Sequence, residues 1–268
     1  MKLRRLSPAL VVLSAGLLAT AVFTVSCTTT PPAVAIDPAL LNPATNSAIR
    51  PEPRDPNWVK RHESFVALPK AGMQVLFLGD SITDFWRRDN NPRQGGGPVW
   101  KKNYAPLHAI NLGISGDRTQ HVLWRMEHGE LDGLAPKLVV LMIGTNNTGF
   151  ERDNKTVRNT VPETIEGVKA VVQGLRTKLP GAKILLLAIF PRGEKPDNPQ
   201  RVQVNEINRS LAKLDDGKMI RYLDIGPKFL TADGTLTKEI MPDFLHPNEH
   251  GYEIWADAMR PLLTAMLK

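Results

Sequence analysis

The chain has 268 residues, 42% of them hydrophobic, a formal net charge of +7 and a single cysteine. That length suits one α/β domain with extra segments, enough to bury a sizeable core without cross-links. One Cys excludes an internal disulfide framework. The Lys and Arg residues are scattered among acids with no long basic block, which argues against a nucleic-acid partner.

Lys2, Arg4 and Arg5 precede an apolar run from Ala9 to Val25, and small residues follow. A basic start, an apolar middle and a small-residue exit make a secretory signal. Its removal takes three positive charges and no negative one, so the net charge falls from +7 to +4. Cys27 comes next, in Thr24-Val25-Ser26-Cys27. This resembles the lipobox of bacterial lipoproteins, in which that Cys carries lipid and becomes the new N-terminus, although Leu is usual where Thr24 stands. The plainer reading is an ordinary signal with an incidental Cys, and a third is an uncleaved membrane anchor. Residues 28–56 are rich in Pro, Thr, Ala and Asn, a composition that buries little, and are expected to form a tether. The folded domain is expected at 57–268.

Within that domain Trp58–Leu68 reads as a short amphipathic helix, and Gln74–Leu78 as a buried strand ending at Gly79-Asp80-Ser81. A helix follows from Ser81, then a loop over Asn90–Pro98 that holds Gly95-Gly96-Gly97 and borders any site at the strand end. Ala109–Leu112, Leu138–Ile143, Lys183–Phe190 and Arg221–Asp224 are four further strands. Helices are expected over Thr119–His128, Pro162–Leu179, Arg201–Leu214 and Glu249–Leu267. Strand–helix alternation demands parallel strands with helices on both faces, an α/β three-layer sandwich on a five-stranded sheet. Three strands end in Gly-containing polar turns, at Ser81, Gly116 and Asn146, and adjacent parallel strands would bring those turns to one rim.

Ser81 is either a helix N-cap or a nucleophile. A Ser hydroxyl needs a base within hydrogen-bond reach and a group to orient that base. Asp243-Phe244-Leu245-His246, on a loop bracketed by Pro242 and Pro247, offers both: His246 as base, Asp243 as its orienter. Acyl transfer also needs donors for an oxyanion, and the Ser81 and Gly116 N–H groups with the Asn146 amide can serve. Ile82, Thr145 and Leu245 flank these residues and are expected to wall a short acyl pocket. Asp80 and Asp117 read as turn-fixing residues, His121 and Trp124 as packing, and His250 as solvent-facing. No phosphate loop, Cys cluster or dinucleotide fingerprint is present.

Gly79-Asp80-Ser81, Ile114-Ser115-Gly116-Asp117, Gly144-Thr145-Asn146-Asn147 and Asp243-Phe244-Leu245-His246, in this order, resemble the four blocks of the SGNH (GDSL-type) hydrolases. The run Asn111–Arg125, with Gly144-Thr145-Asn146-Asn147 and Pro191-Arg192-Gly193, is similar to the catalytic subunits of intracellular platelet-activating-factor acetylhydrolase. The resemblance extends from about Asn57 to the C-terminus. It implies a flavodoxin-like sheet and a serine esterase that releases short acyl groups without a metal or organic cofactor. A small-molecule or glycan ester is the implied substrate, acetylated polysaccharide by analogy. The alternatives are a lipid-directed acetylhydrolase, a lysophospholipase or thioesterase, and a non-catalytic envelope binding protein on the same fold.

Overall fold

The structure, a computed structural model, describes residues 37–268 apart from 90 and 92. The expected signal, Cys27 and all of 28–36 therefore lie outside the described residues. Among the described residues no helix is long and apolar enough to cross a membrane.

Seven α-helices and five strands are described: α1 (Pro56–Val66), β1 (Val75–Gly79), α2 (Ser81–Asp84), α3 (Gly97–Asn103), β2 (Ala109–Asn111), α4 (Thr119–Glu127), β3 (Leu138–Met142), α5 (Val161–Lys178), β4 (Lys183–Leu187), α6 (Pro199–Leu211), β5 (Ile220–Leu223) and α7 (Glu249–Leu267). The strands form one all-parallel sheet in the order β2-β1-β3-β4-β5. β1 and β3 are buried along their whole length, as continuous apolar runs in the middle of a parallel sheet must be. Period-2 alternation splits each strand between two cores. Leu76, Leu78, Val139 and Leu141 pack under α1, α4, α5 and α6, with Trp58, Val122 and Val171. Val75, Phe77, Leu138 and Val140 pack under α2, α3 and α7, with Trp86, Tyr252 and Trp255. This is the expected three-layer α/β sandwich.

Local chemistry sets the helix ends. Asp55 caps α1 through the Asn57 and Trp58 N–H groups. Thr160 and Glu163 close a reciprocal capping box on α5. Asn248 caps α7. The helix expected from Ser81 is only one turn of α-helix continued by a 3₁₀ turn over Phe85–Arg87.

The domain boundary needs correction. Residues 37–56 are not a free tether. Asn46 and Ala48 are fully buried. The Ala48 carbonyl accepts the Thr119 hydroxyl at 2.7 Å, Asn159 donates to the Ser47 hydroxyl at 2.9 Å, and Glu52 N–H donates to the Gln120 carbonyl at 3.2 Å. The packed body thus begins by residue 37, twenty residues earlier than composition indicates. The segment is held by hydrogen bonds and by one small side chain seated on a glycine, Gly167 of α5. It has no apolar stripe for a periodicity argument to find.

Candidate active site

The order β2-β1-β3 places the ends of three adjacent strands side by side, where ligands bind in open parallel sheets. At the end of β1, a Cβ on Gly79 would lie 2.3 Å from the Thr83 hydroxyl and 2.4 Å from the Met142 carbonyl, so only Gly allows this turn. Asp80 Oδ1 accepts the Ile82 N–H at 3.0 Å and caps α2, which opens with Ser81. The Ser81 Oγ lies 2.9 Å from His246 Nε2. On the other side of the ring, Nδ1 lies 2.7 Å from Asp243 Oδ2.

Residues three apart meet because the backbone doubles back. Asp243 Oδ1 accepts the Leu245 and His246 N–H groups at 3.1 and 2.8 Å. Phe244 sits at φ +58°, uncommon for a bulky side chain, and its carbonyl accepts the Gly193 N–H at 2.8 Å. Burial pushes the Asp243 carboxyl up, but the hydrogen bonds and charge of His246 outweigh it and hold the group below its ordinary value. Gln94 Nε2 also donates to Asp243 Oδ2, at 2.5 Å. Sequence reasoning missed this contact; the only signal was the placement of the glycine-rich loop beside the site.

Gly116, after β2, has φ +83°, a left-handed conformation that favours Gly. Its loop is tied to α2: the Ser115 N–H and hydroxyl donate to Asp84 Oδ2 at 3.1 and 2.6 Å, and Arg87 donates to the Asn111 and Gly113 carbonyls. After β3, Asn146 Nδ2 donates to the Asp117 carbonyl at 3.0 Å, which leaves its second amide hydrogen for another acceptor. Asn147 braces the same turn against Thr119, Gln120 and Asn159. Arg192 also braces it, donating to the Thr145 carbonyl at 3.0 Å. Gly116 and Asn146 line one cavity of about 510 Å³.

The expected acyl-pocket wall is not built as the sequence suggests. Ile82 is 1% exposed and sits in the core with Phe77 and Trp86, because the residue after Ser81 turns toward the sheet. Thr145 is equally buried, its hydroxyl 3.2 Å from Arg192 Nη1. Only Leu245 stays partly exposed beside His246.

Asp80 fixes its turn as expected. The Asp117 carboxyl instead accepts the Trp58 indole N–H at 2.7 Å and faces Arg125 Nε at 3.1 Å, tying its loop to α1 and α4 rather than fixing the turn. Both acids are strongly buried. Burial pushes Asp80 up to about 7 against the Ile82 N–H. It pushes Asp117 up to about 6, opposed by Arg125, the Trp58 N–H and Arg54. His121 is buried on α4 and packs edge-on to Trp58, and His250 is exposed beside Glu253. A hydroxyl, an imidazole and a carboxylate in line can pass a proton from Ser to His, with polar donors on adjacent strand ends.

Residues 77–254 match the family model of the GDSL-like lipase/acylhydrolase family. Human platelet-activating factor acetylhydrolase IB subunit alpha1 is 37% identical over 231 residues, 83% of this chain and 91% of that protein. The chain belongs to the GDSL-like lipase/acylhydrolase family. It is therefore an ester-cleaving hydrolase. Two solved structures share the GDSL fold with it. A GDSL-like lipase from Bacteroides thetaiotaomicron is 21% identical, with TM-score 0.62, covering 78% of this chain and 98% of that one. An acetylxylan esterase from Geobacillus stearothermophilus is 23% identical, with TM-score 0.55, covering 70% and 93%. Within this GDSL chain the four sequence blocks coincide with the ends of β1, β2 and β3 and the loop before α7.

Proposed function

We propose that this GDSL hydrolase is a serine esterase that removes short acyl groups, acetyl first, from hydroxyl-bearing substrates at the cell envelope. The line Ser81 Oγ, His246, Asp243, at 2.9 and 2.7 Å, carries the reading. His246 Nε2 takes the Ser81 proton as Oγ attacks the ester carbonyl. Asp243 accepts Nδ1–H, fixes the ring tautomer and stabilises the imidazolium. The Ser81 and Gly116 N–H groups and the Asn146 amide receive the charge that develops on the carbonyl oxygen. His246 then gives the proton to the departing alkoxide, leaving an acyl-Ser81 that water cleaves with His246 as base. The acetylhydrolase name of the 37% identical relative supports a short acyl group. The fold shared with an acetylxylan esterase is compatible with a saccharide ester.

The test is hydrolysis of p-nitrophenyl acetate by protein lacking residues 1–27. Ser81→Ala is expected to fold and to lose about three orders of magnitude or more in turnover. Near-parental turnover in that variant would sink the nucleophile assignment. Export and a lipid on Cys27 belong to the same proposal, resting on the sequence of residues 1–27.

A further inference from the structure

The cavity that reaches Gly116 and Asn146 is strongly cationic. Arg50, Arg54, Arg118, Arg152 and Arg158 line it, against Glu52 and Glu151. Two arginines are largely used up. Arg54 Nη1 donates to the Ser115 carbonyl at 2.7 Å and lies 3.3 Å from buried Asp117, and Arg118 grips both oxygens of Glu151 at 2.5 and 2.7 Å. The others hold charge in reserve. Among the described residues Arg152 makes no ion pair. Arg50 meets Glu52 only at 3.8 Å, with both side chains about half exposed, a pair worth little in water. Arg158 donates from Nη1 to the Asn146 carbonyl at 3.1 Å, while its buried Nε has no hydrogen-bond acceptor, Glu151 standing 3.8 Å away. The field acts on His121 at the same wall: burial and the charges of Arg54, Arg118 and Arg125 push its ring down to about 3.

We infer that this cleft is a subsite for a carboxylate on the alcohol portion of the ester, so that the substrate is an acylated acidic saccharide. The inference rests on the esterase reading for its link to chemistry. An acetyl group has nowhere to carry a charge, so an anion bound beside the oxyanion donors must belong to the alcohol. Guanidinium forks match planar carboxylates in two-point hydrogen bonds. Pro53 is the one apolar side chain of the lining, so nothing here would hold a lipid tail. The remaining lining groups suit hydroxyls. The volume, about 510 Å³, is in the range of small-ligand sites. Arg50 and Arg54 come from the segment that composition marks as a tether, and Arg118, Arg152 and Arg158 from the loops after β2 and β3. Folding of residues 37–56 onto the body is what closes the cleft.

Binding and turnover test it separately. Trigalacturonate and its fully methyl-esterified form are titrated into the Ser81→Ala protein by calorimetry. The free acid is expected to bind about tenfold tighter or more, the difference one charge-assisted hydrogen bond makes, and the preference should shrink with added salt. In Arg50→Gln/Arg152→Gln on the same background the preference should fall toward parity. Equal binding of acid and ester, or no binding of either, overturns the subsite, as does tighter binding to vesicles of phosphatidylcholine and phosphatidic acid. In the parental protein, acetylated trigalacturonate should be cleaved with a higher kcat/KM than its acetylated methyl ester. Loss of all p-nitrophenyl acetate hydrolysis would count against the esterase reading alone, because the calorimetric comparison needs no turnover.

Discussion

Asp243→Asn separates the structural work of this residue from the catalytic work proposed for it. One carboxylate oxygen, Oδ1, accepts two backbone N–H groups and holds the turn; the other, Oδ2, faces His246 Nδ1 at 2.7 Å. Asn has one acceptor oxygen. If that oxygen keeps the turn, the amide nitrogen faces Nδ1, and a donor meets a donor. The imidazole escapes by moving its proton to Nε2, the atom 2.9 Å from Ser81 Oγ. It can then no longer accept the Ser81 proton. In serine proteases the equivalent replacement drops kcat by about 10⁴, roughly 5.5 kcal/mol in barrier height. The same loss is expected here, with thermal stability changed by less than about 1 kcal/mol because the backbone bonds persist. Steady-state hydrolysis of p-nitrophenyl acetate and a melting curve on the same sample suffice. A variant within about tenfold of parental kcat would refute the tautomer argument. It would make the Asp243–His246 contact a loop brace only.

Three other outcomes are expected. Folded Asp80 is harder to ionise than in the unfolded chain, so the native state holds more protons between about pH 4 and pH 7, and the stability from this group is lost as pH rises through about 7. Urea unfolding across that range should fall more steeply for the parent than for Asp80→Asn, by up to roughly 4 kcal/mol; parallel profiles would contradict it. Gly167→Ala should destabilise by about 1–3 kcal/mol, because the new Cβ would lie 2.5 Å from the Thr119 hydroxyl and 2.9 Å from the Ala48 carbonyl. In an unobstructed helix the same change stabilises by about 1 kcal/mol, so a raised melting temperature would mean that residues 37–56 do not pack there. Cys27→Ser should release the exported protein from the membrane fraction or block its processing; an unaltered distribution would rule out lipidation at that Cys.

The sheet was legible because its strands are short apolar runs closed by Gly and polar residues, a signal local to each strand. Strand order was legible only through the family likeness; alternation alone predicts parallel strands and not β2-β1-β3-β4-β5. Ser81, His246 and Asp243 could be paired in advance because each lies at a chain reversal of recognisable composition. The acyl wall could not. Adjacency in sequence placed Ile82 and Thr145 beside the candidate site residues Ser81 and Asn146, but a one-residue step on a helix or turn rotates the side chain away, here into the core and toward Arg192. Gln94 was equally hidden, since a single half-buried polar residue in a loop carries no pattern that points to Asp243.

The stretch 37–56 shows why composition misleads at a domain edge. Proline-rich, weakly apolar sequence predicts poor burial per residue, and that holds for most of this stretch, which is largely exposed. Yet two buried residues, Asn46 and Ala48, and a few hydrogen bonds to α4, α5 and the Gly116 loop fix it in place. Once fixed, its charged residues stop being a solubilising surface and become a wall. Arg54 lies against Gly116: its guanidinium nitrogens are 3.1 and 3.2 Å from where a Cβ on that residue would stand. A side chain there would meet both left-handed backbone strain and this arginine. The glycine is therefore required twice, by the turn after β2 and by the segment laid over it. The same contact joins the chemistry at the strand ends to the charged cleft beyond them.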